Sequence, residues 1–448
     1  MYCEAFEKCR RLSTRDLRNL LSFWFFGLGN NFSYVIMLAA ALDIIRKQED
    51  IPSVSHPRRL TFHYNCTPTG TASVLLADII PSMLVKFIAP VFIHRLHFHF
   101  KILLSCLLAL NSFLLVSFST SMSISVIGIV SASLSCGIGD ISFLSMTAFF
   151  PKGCVSAWSS GTGAAGLIGA FAYAALTSLI SPGTTLFYLF LLVRPDHPKF
   201  QLHCCRHSEN VERVPFRDFD QLELHTVYGS DNFSTNSESI HDDGVYEVFS
   251  TADSSRRSSD GSIVEQPVHP SDVVDLQQIN PSLRVKWQIV KGLLCLLISL
   301  TAVYFFEYII NQSLFELLIF EHTLTQAEQY RWYQVLYQTG VFISRSSVSL
   351  FQVKYTWIMA VLQAANFILC LTQVIYRFIP SIWIMFLIIL YEGCLGGLAY
   401  VNTFYRIIQE TTPSYREFAM AVSTVSDSVG ITAAGLLAIP LRTWLCSR

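Results

Sequence analysis

The stretch Phe23–Ile44, FWFFGLGNNFSYVIMLAAALDI, decides the fold class. It carries no charge before Asp43, and about 20 mainly apolar residues are what a helix needs to cross the hydrocarbon of a bilayer. Runs of the same kind recur outward from it, at about 19–45, 71–93, 100–120, 122–149, 155–181, 288–319, 328–351, 356–377, 380–405 and 416–445. Thr184–Val193 has the composition of a further crossing at about half the length, and Arg194-Pro195-Asp196 ends it. Composition agrees. Hydrophobic residues make up 52% of the 448 and charged residues 14%, where a soluble domain has roughly 25% charged. The expectation is an all-α polytopic membrane protein with about 11 transmembrane helices, of which the sixth is short. A net charge of −1 leaves no basic field to recruit nucleic acid.

The basic cluster Lys8, Arg10, Arg11, Arg15 and Arg18 places the N-terminal segment 1–18 in the cytosol. The loop after the first helix is then lumenal, and Asn65-Cys66-Thr67 within it is a glycosylation acceptor at Asn65. Residues 194–287 hold half of all the acidic residues, together with Ser/Asp-rich runs. Such a segment cannot bury enough apolar surface to fold alone, so it reads as a disordered cytosolic linker, a platform on which trafficking proteins could dock. It separates a first transmembrane half, 19–193, from a second, 288–445, with 446–448 as a tail. Twelve cysteines include no C-x-x-C pair, so spacing suggests neither a disulfide framework nor a zinc site.

Two halves joined by a long linker are the plan of transporters built from parallel repeats, and faint echoes support it. Asn30-Asn31 in the first helix matches Asn311-Gln312 in the first helix of the second half. Ala164-Ala165-Gly166-Leu167 matches Ala433-Ala434-Gly435-Leu436. The cluster Gly137, Gly139, Asp140 matches Glu392, Gly393, Gly396, Gly397. The expected fold is a major facilitator-type bundle in two pseudo-symmetric halves. Thr325-x-x-Glu328 and Ser414-x-x-Glu417 read as capping boxes that start two of its helices.

Seven blocks carry a resemblance to a known family: Phe23–Ile44, Ser73–Pro81 (SVLLADIIP), Trp158–Ala170 (WSSGTGAAGLIGA), Val303–Leu318 (VYFFEYIINQSLFELL), Tyr330–Ser347 (YRWYQVLYQTGVFISRSS), Ile388–Phe404 (IILYEGCLGGLAYVNTF) and Arg416–Ile431 (REFAMAVSTVSDSVGI). Through them the chain resembles the battenin family over almost all of its membrane portion. The resemblance implies a facilitator-type fold and a lysosomal and late endosomal membrane location. It also implies a part in clearing glycerophosphodiesters, with links to lysosomal pH, basic amino acids and vesicle traffic. A transporter of small polar solutes is the main expectation, and a non-transporting scaffold in endosome–lysosome trafficking and autophagy is the alternative.

Site candidates follow from the expense of charge in a bilayer, where an ionised group must be paired or line a wet interior. These are Asp78 and Lys86 on the second helix, Asp140 on the fourth, Glu307 and Glu316 on the seventh, Arg345 on the eighth, Glu392 on the tenth and Asp427 on the last. Arg345 is the candidate for an anionic solute, because a guanidinium grips phosphate or carboxylate through two parallel hydrogen bonds. Asp78, Asp140, Glu307, Glu392 and Asp427 are the candidates for proton coupling or buried charge. Asn30, Asn31, Asn311 and Gln312 are the candidate amides lining the solute path, since buried amides must be hydrogen-bonded. Gly161-Thr162-Gly163-Ala164-Ala165-Gly166 fits G-x-G-x-x-G by letter, but within a membrane helix it reads as close helix packing. His94, His97 and His99 read as a cationic collar at a helix end. No nucleophile elbow, zincin motif or phosphate loop occurs, so no enzyme, cofactor or resident metal is expected.

Overall fold

A computed structural model describes residues 14–48, 70–92, 98–181, 184–188, 283–321, 324–350 and 352–447. Asn65, His94, His97 and the linker from 194 to 282 lie outside the described residues. The described elements are all helical: α1 (Thr14–Ala39), α2 (Ala41–Gln48), α3 (Thr71–Phe92), α4 (Phe98–Ser117), α5 (Met122–Met146), α6 (Gly153–Thr177), α7 (Leu283–Ile309), α8 (Gln326–Arg345), α9 (Thr356–Tyr376), α10 (Ile382–Glu410) and α11 (Arg416–Cys446). A short helical stretch at 184–188 follows α6. Helix α7 starts at Leu283 rather than the expected 288, because Arg284 and Lys286 continue the same helix outward from its apolar run.

Local chemistry sets several ends. Thr325 and Glu328 form the reciprocal capping box that opens α8. Ser121 caps α5 through its side chain, and Ser381 does the same for α10. Ser414 does not cap α11 as its spacing suggested. Pro413–Tyr415 instead forms a 3-10 turn, and α11 starts at Arg416 with Tyr415 in the cap position and no side-chain cap bond. Past Ile309, α7 continues as a π turn over Ile310–Leu314. Cys446 is disulfide-bonded, which the cysteine spacing did not suggest.

Among the described residues, eight helical stretches are long and apolar enough to cross a membrane by length and composition. Helices α6 and α8 have the length but lie outside this group. They pack against each other, so much of their polar surface meets protein rather than lipid. The packing repeats. In the first half α1 lies on α6 and α3 on α5; in the second, α7 lies on α11 and α8 on α10. The halves meet through α6 on α8 and α11 on α3, which are equivalent contacts related by the repeat.

Small residues permit these approaches. A methyl group added at Gly27 would lie 2.5 Å from the Trp158 main-chain oxygen, and one at Gly161 would strike the main chain of Trp24. Gly340 and Gly393 bring α8 and α10 together in the same way, as Gly430 does for α11 against α7. Gly166 faces Gln338 of α8, and Gly435 faces Leu75 and Leu76 of α3. The repeated Ala-Ala-Gly-Leu therefore sits at the two equivalent contacts between the halves. Within the G-x-G-x-x-G string, Gly161 serves α1 while Gly163 and Gly166 serve α8.

Gly29 provides the control for this seam, because a methyl group there meets nothing within 4 Å. Gly27→Ala and Gly161→Ala should each destabilise the protein by about 1–3 kcal/mol, the usual penalty for overpacking. Gly29→Ala should leave the thermal midpoint of the purified protein unchanged. Equal midpoints for all three variants would show that the α1–α6 seam is loose enough to part.

Candidate functional site

Polar side chains from both halves converge inside the bundle. On the first-half side, Lys86 of α3 points between α5 and α11. Its Nζ lies 2.8 Å from Asp140 Oδ2 and 3.4 Å from Asp427 Oδ1. Lys86 is 3% exposed, so its ammonium has exchanged water for these two carboxylates. Asn30 of α1 donates from Nδ2 to Asp140 Oδ1 at 2.8 Å and lies against Gly139. Asn31 accepts from the same Nδ2 at 3.2 Å. Asp427 also accepts from the backbone N–H of Ser428 at 2.6 Å. Asp427 thus forms an ion pair between the halves. Asp78, two turns before Lys86 on α3, is fully buried, with no hydrogen-bond partner for either oxygen.

The second-half side has a different chemistry. Arg345 closes α8 and turns inward, not out to a membrane surface. Its Nη1 donates to Thr162 Oγ1 at 2.6 Å and its Nη2 to Tyr304 Oη at 2.9 Å. The guanidinium carbon lies 4.1 Å from the ring centroid of Tyr400, a cation–π contact. Tyr400 in turn accepts from Trp158 Nε1 at 3.4 Å. Lys86, Arg331 and Arg442 each have a carboxylate within ion-pair distance. Among the described residues Arg345 has none, and its Nε has no hydrogen-bond partner.

Around Arg345 stands a group of tyrosines. Tyr304 and Tyr308, one turn apart on α7, stack with centroids 5.9 Å apart. Tyr308 Oη and Tyr34 Oη share a hydrogen bond of 3.0 Å between the halves. Tyr337 donates to Glu307 Oε1, and Glu307 Oε2 has no partner. Glu392 on α10 is fully buried, and neither of its oxygens is hydrogen-bonded.

These placements correct one internal match. Asn30 does not correspond to Asn311. It rests on Gly139 of α5 as Glu307 rests on Gly396 of α10, so Glu307 is its counterpart, and the amide pairs are out of step by about one turn. Asn311 and Gln312 lie in the π turn at the far end of α7, where the main-chain oxygen of Gln312 accepts from Thr71 Oγ1 at 3.0 Å. Both side-chain oxygens there are buried and unpartnered. The structure therefore gathers Asn30, Asn31, Asp140 and Asp427 around Lys86, and Glu307 near the tyrosines. Asn311 and Gln312 stand apart from both groups.

The tyrosines, Thr162 and Trp158 were missed by a search for charge. One signal was present: Tyr304 and Tyr308 are four apart in an apolar run, and a phenol buried in hydrocarbon needs a hydrogen-bond partner. Thr162 stood in the glycine-rich string and was read only for packing. Chemically, the arrangement can hold an anion at a cation that has only neutral partners, with phenolic donors beside it. No group of three or more His, Cys, Asp or Glu able to hold a metal occurs among the described residues.

Comparison with known proteins agrees with this architecture. Residues 21–448 match the family described as CLN3 protein. The chain is 42% identical over 453 residues to battenin of Canis lupus familiaris, covering 96% of this chain and 91% of that one. It is 34% identical over 461 residues to protein btn-1 of Neurospora crassa, covering 97% and 90%. Among solved structures, a bacterial homologue of the human lysosomal transporter Spinster, inward-facing and unoccupied, superposes with a TM-score of 0.52 at 13% identity, covering 95% of this chain and 81% of that one. The human organic anion transporter MFSD10 (TETRAN) superposes with a TM-score of 0.52 at 10% identity, covering 97% and 96%. The fold is thus a major facilitator-type bundle, and the chain belongs to the CLN3 protein family, of which battenin is a member.

Proposed function

We propose that the chain carries small polar solutes bearing an anionic group across the lysosomal and late endosomal membrane, with glycerophosphodiesters as the solute class. The observation that carries this reading is Arg345, a cation between the two halves held by Thr162, Tyr304 and Tyr400 and by no carboxylate among the described residues. An arginine in that state retains its charge for a ligand, whereas Lys86 has its charge neutralised by Asp140 and Asp427. The family resemblance supplies the membrane and the phosphodiester. Alternating access would be a rocking of one half on the other about this region.

The orientation follows from the same pieces. With the basic N-terminus in the cytosol, α2, the start of α3 and the end of α11 face the lumen. The disulfide at Cys446 fits that side, because bonds of this kind persist in oxidising compartments. Asp78, Glu307 and Glu392, which keep one or two carboxylate oxygens unpartnered in the interior, are the groups proposed to exchange a proton during the cycle. A scaffold role in trafficking would rest on the linker and would need none of them.

Transport of a labelled glycerophosphodiester by the purified chain in liposomes tests the main reading. Arg345→Lys keeps the charge but loses the two-pronged grip. It should reduce uptake about tenfold, a loss of about 1.4 kcal/mol in transition-state stabilisation, with the protein still folded and monodisperse. Parent-level uptake by the lysine variant would remove Arg345 from the binding site. No uptake by the parent itself would favour the scaffold.

Proton coupling is tested by the pH profile of the same uptake. Glu307→Gln and Glu392→Gln remove a titrating group while keeping side-chain shape, and at least one should flatten the profile between acidic and neutral lumenal pH. Asp427→Asn should leave the profile in place and lower the yield of folded protein, since its charge balances Lys86. Profiles identical to the parent for both glutamine variants reject coupling through these residues.

A further inference from the structure

The contacts between the halves differ at the two ends of the bundle. At the end bearing Arg345, the contact between α6 and the end of α8 is between two hydroxyls, Ser160 Oγ and Ser346 Oγ, 2.9 Å apart. At the other end stands an ion pair. Arg331 in the second turn of α8 donates from Nε to Asp43 Oδ2 at 3.1 Å and from Nη2 to Asp43 Oδ1 at 3.2 Å. Tyr173 of α6 donates to the same Oδ2 at 3.0 Å. Two neutral bonds between the halves lie beside it, from Tyr330 Oη to the main-chain oxygen of Leu38 at 3.3 Å and from Thr71 Oγ1 to that of Gln312 at 3.0 Å.

Asp43 is carried by α2, a two-turn helix that continues the chain beyond α1 and brings a carboxylate over the first turns of α8. Both side chains of the pair are largely withdrawn from water, at 16% and 10% exposure. A bidentate pair in that setting is stronger and more directional than a surface bridge. It is also made between bodies that must part if this end is to open.

From this geometry we propose that Asp43, Arg331 and Tyr173 form a latch that holds the α2 end of the bundle closed, and that its release is the step exposing the interior on that side. The proposal rests on the transport reading for its purpose, but the latch itself is a statement about how the halves are held. Opening must break both Arg331 hydrogen bonds, so removing either partner favours the open form.

The test measures separation of the halves without a substrate. Leu179, 81% exposed, and Leu324, 37% exposed, flank this end on opposite halves. Spin labels carried there on unnatural residues leave the native cysteines and the Cys446 disulfide in place. In the full chain in lipid nanodiscs, the parent should give one short distance population. Asp43→Asn and Arg331→Ala should each raise the longer population roughly tenfold, within the range by which single couplings shift such equilibria. The charge-swapped double variant, Asp43→Arg with Arg331→Asp, should return toward the parent, and it keeps the test decisive if one single variant fails to fold. Unchanged distances in both single variants, or a swapped variant as open as the singles, would overturn the latch. A shift in distances without solute uptake by the parent would keep the latch and reject the transport reading.

Discussion

Charge inside an apolar bundle must be compensated, and the rest of this structure depends on how that is done. Among the described residues, Lys86, Arg331, Arg442 and Arg345 are basic side chains that reach into the interior or its rim. Lys86 is held by Asp140 and Asp427, Arg331 by Asp43, and Arg442 by Glu316 at 2.8 Å. Two of these three sets join opposite halves, so the partners that make charge tolerable also set how the halves meet. Arg345 is compensated differently, by two hydroxyls and the face of a ring. Neutral dipoles stabilise a guanidinium without cancelling its charge, which leaves it able to attract an anion.

The repeat places this contrast in one frame. Lys86 on α3 and Arg345 on α8 occupy corresponding helices, each near the partner half. Around Lys86 the acids lie on α5 and α11. Around Arg345 the equivalent helices, α10 and α6, offer Tyr400, Thr162 and Trp158 instead. Two further acids of the second half are set elsewhere: Glu307 against Gly396 and beside Tyr337, and Glu392 buried on α10. One backbone plan therefore holds two chemistries, a neutralised lock in one half and an open cation in the other. Glycine makes this possible, since Gly139 and Gly396 leave the space taken by Asn30 and Glu307.

Membrane character, helix positions and the division into two halves were legible in the sequence, because each rests on local composition. Twenty apolar residues can satisfy their backbone in a bilayer only as a helix, wherever the rest of the chain lies. The capping box at Thr325 and Glu328 was equally local and formed as its spacing implied. The Ala-Ala-Gly-Leu echo also told truly, since both copies sit at equivalent contacts between the halves. Several buried charges were legible as well, because they stood out from apolar runs, whereas Arg442 and Lys101, both buried, were not singled out.

What such a reading could not contain was pairing. Lys86 and Asp427 are joined by a contact between helices 341 residues apart in the chain, and no spacing rule spans such a distance. The same limit misplaced Asn311, whose match to Asn30 was a matter of letters, while the π turn carries it beyond the shared polar core. The sequence by itself determined which groups would be expensive to bury. Only the tertiary structure decided which of them neutralise one another, because Coulombic and hydrogen-bond energies depend on separation in space, and helix packing alone fixes that separation.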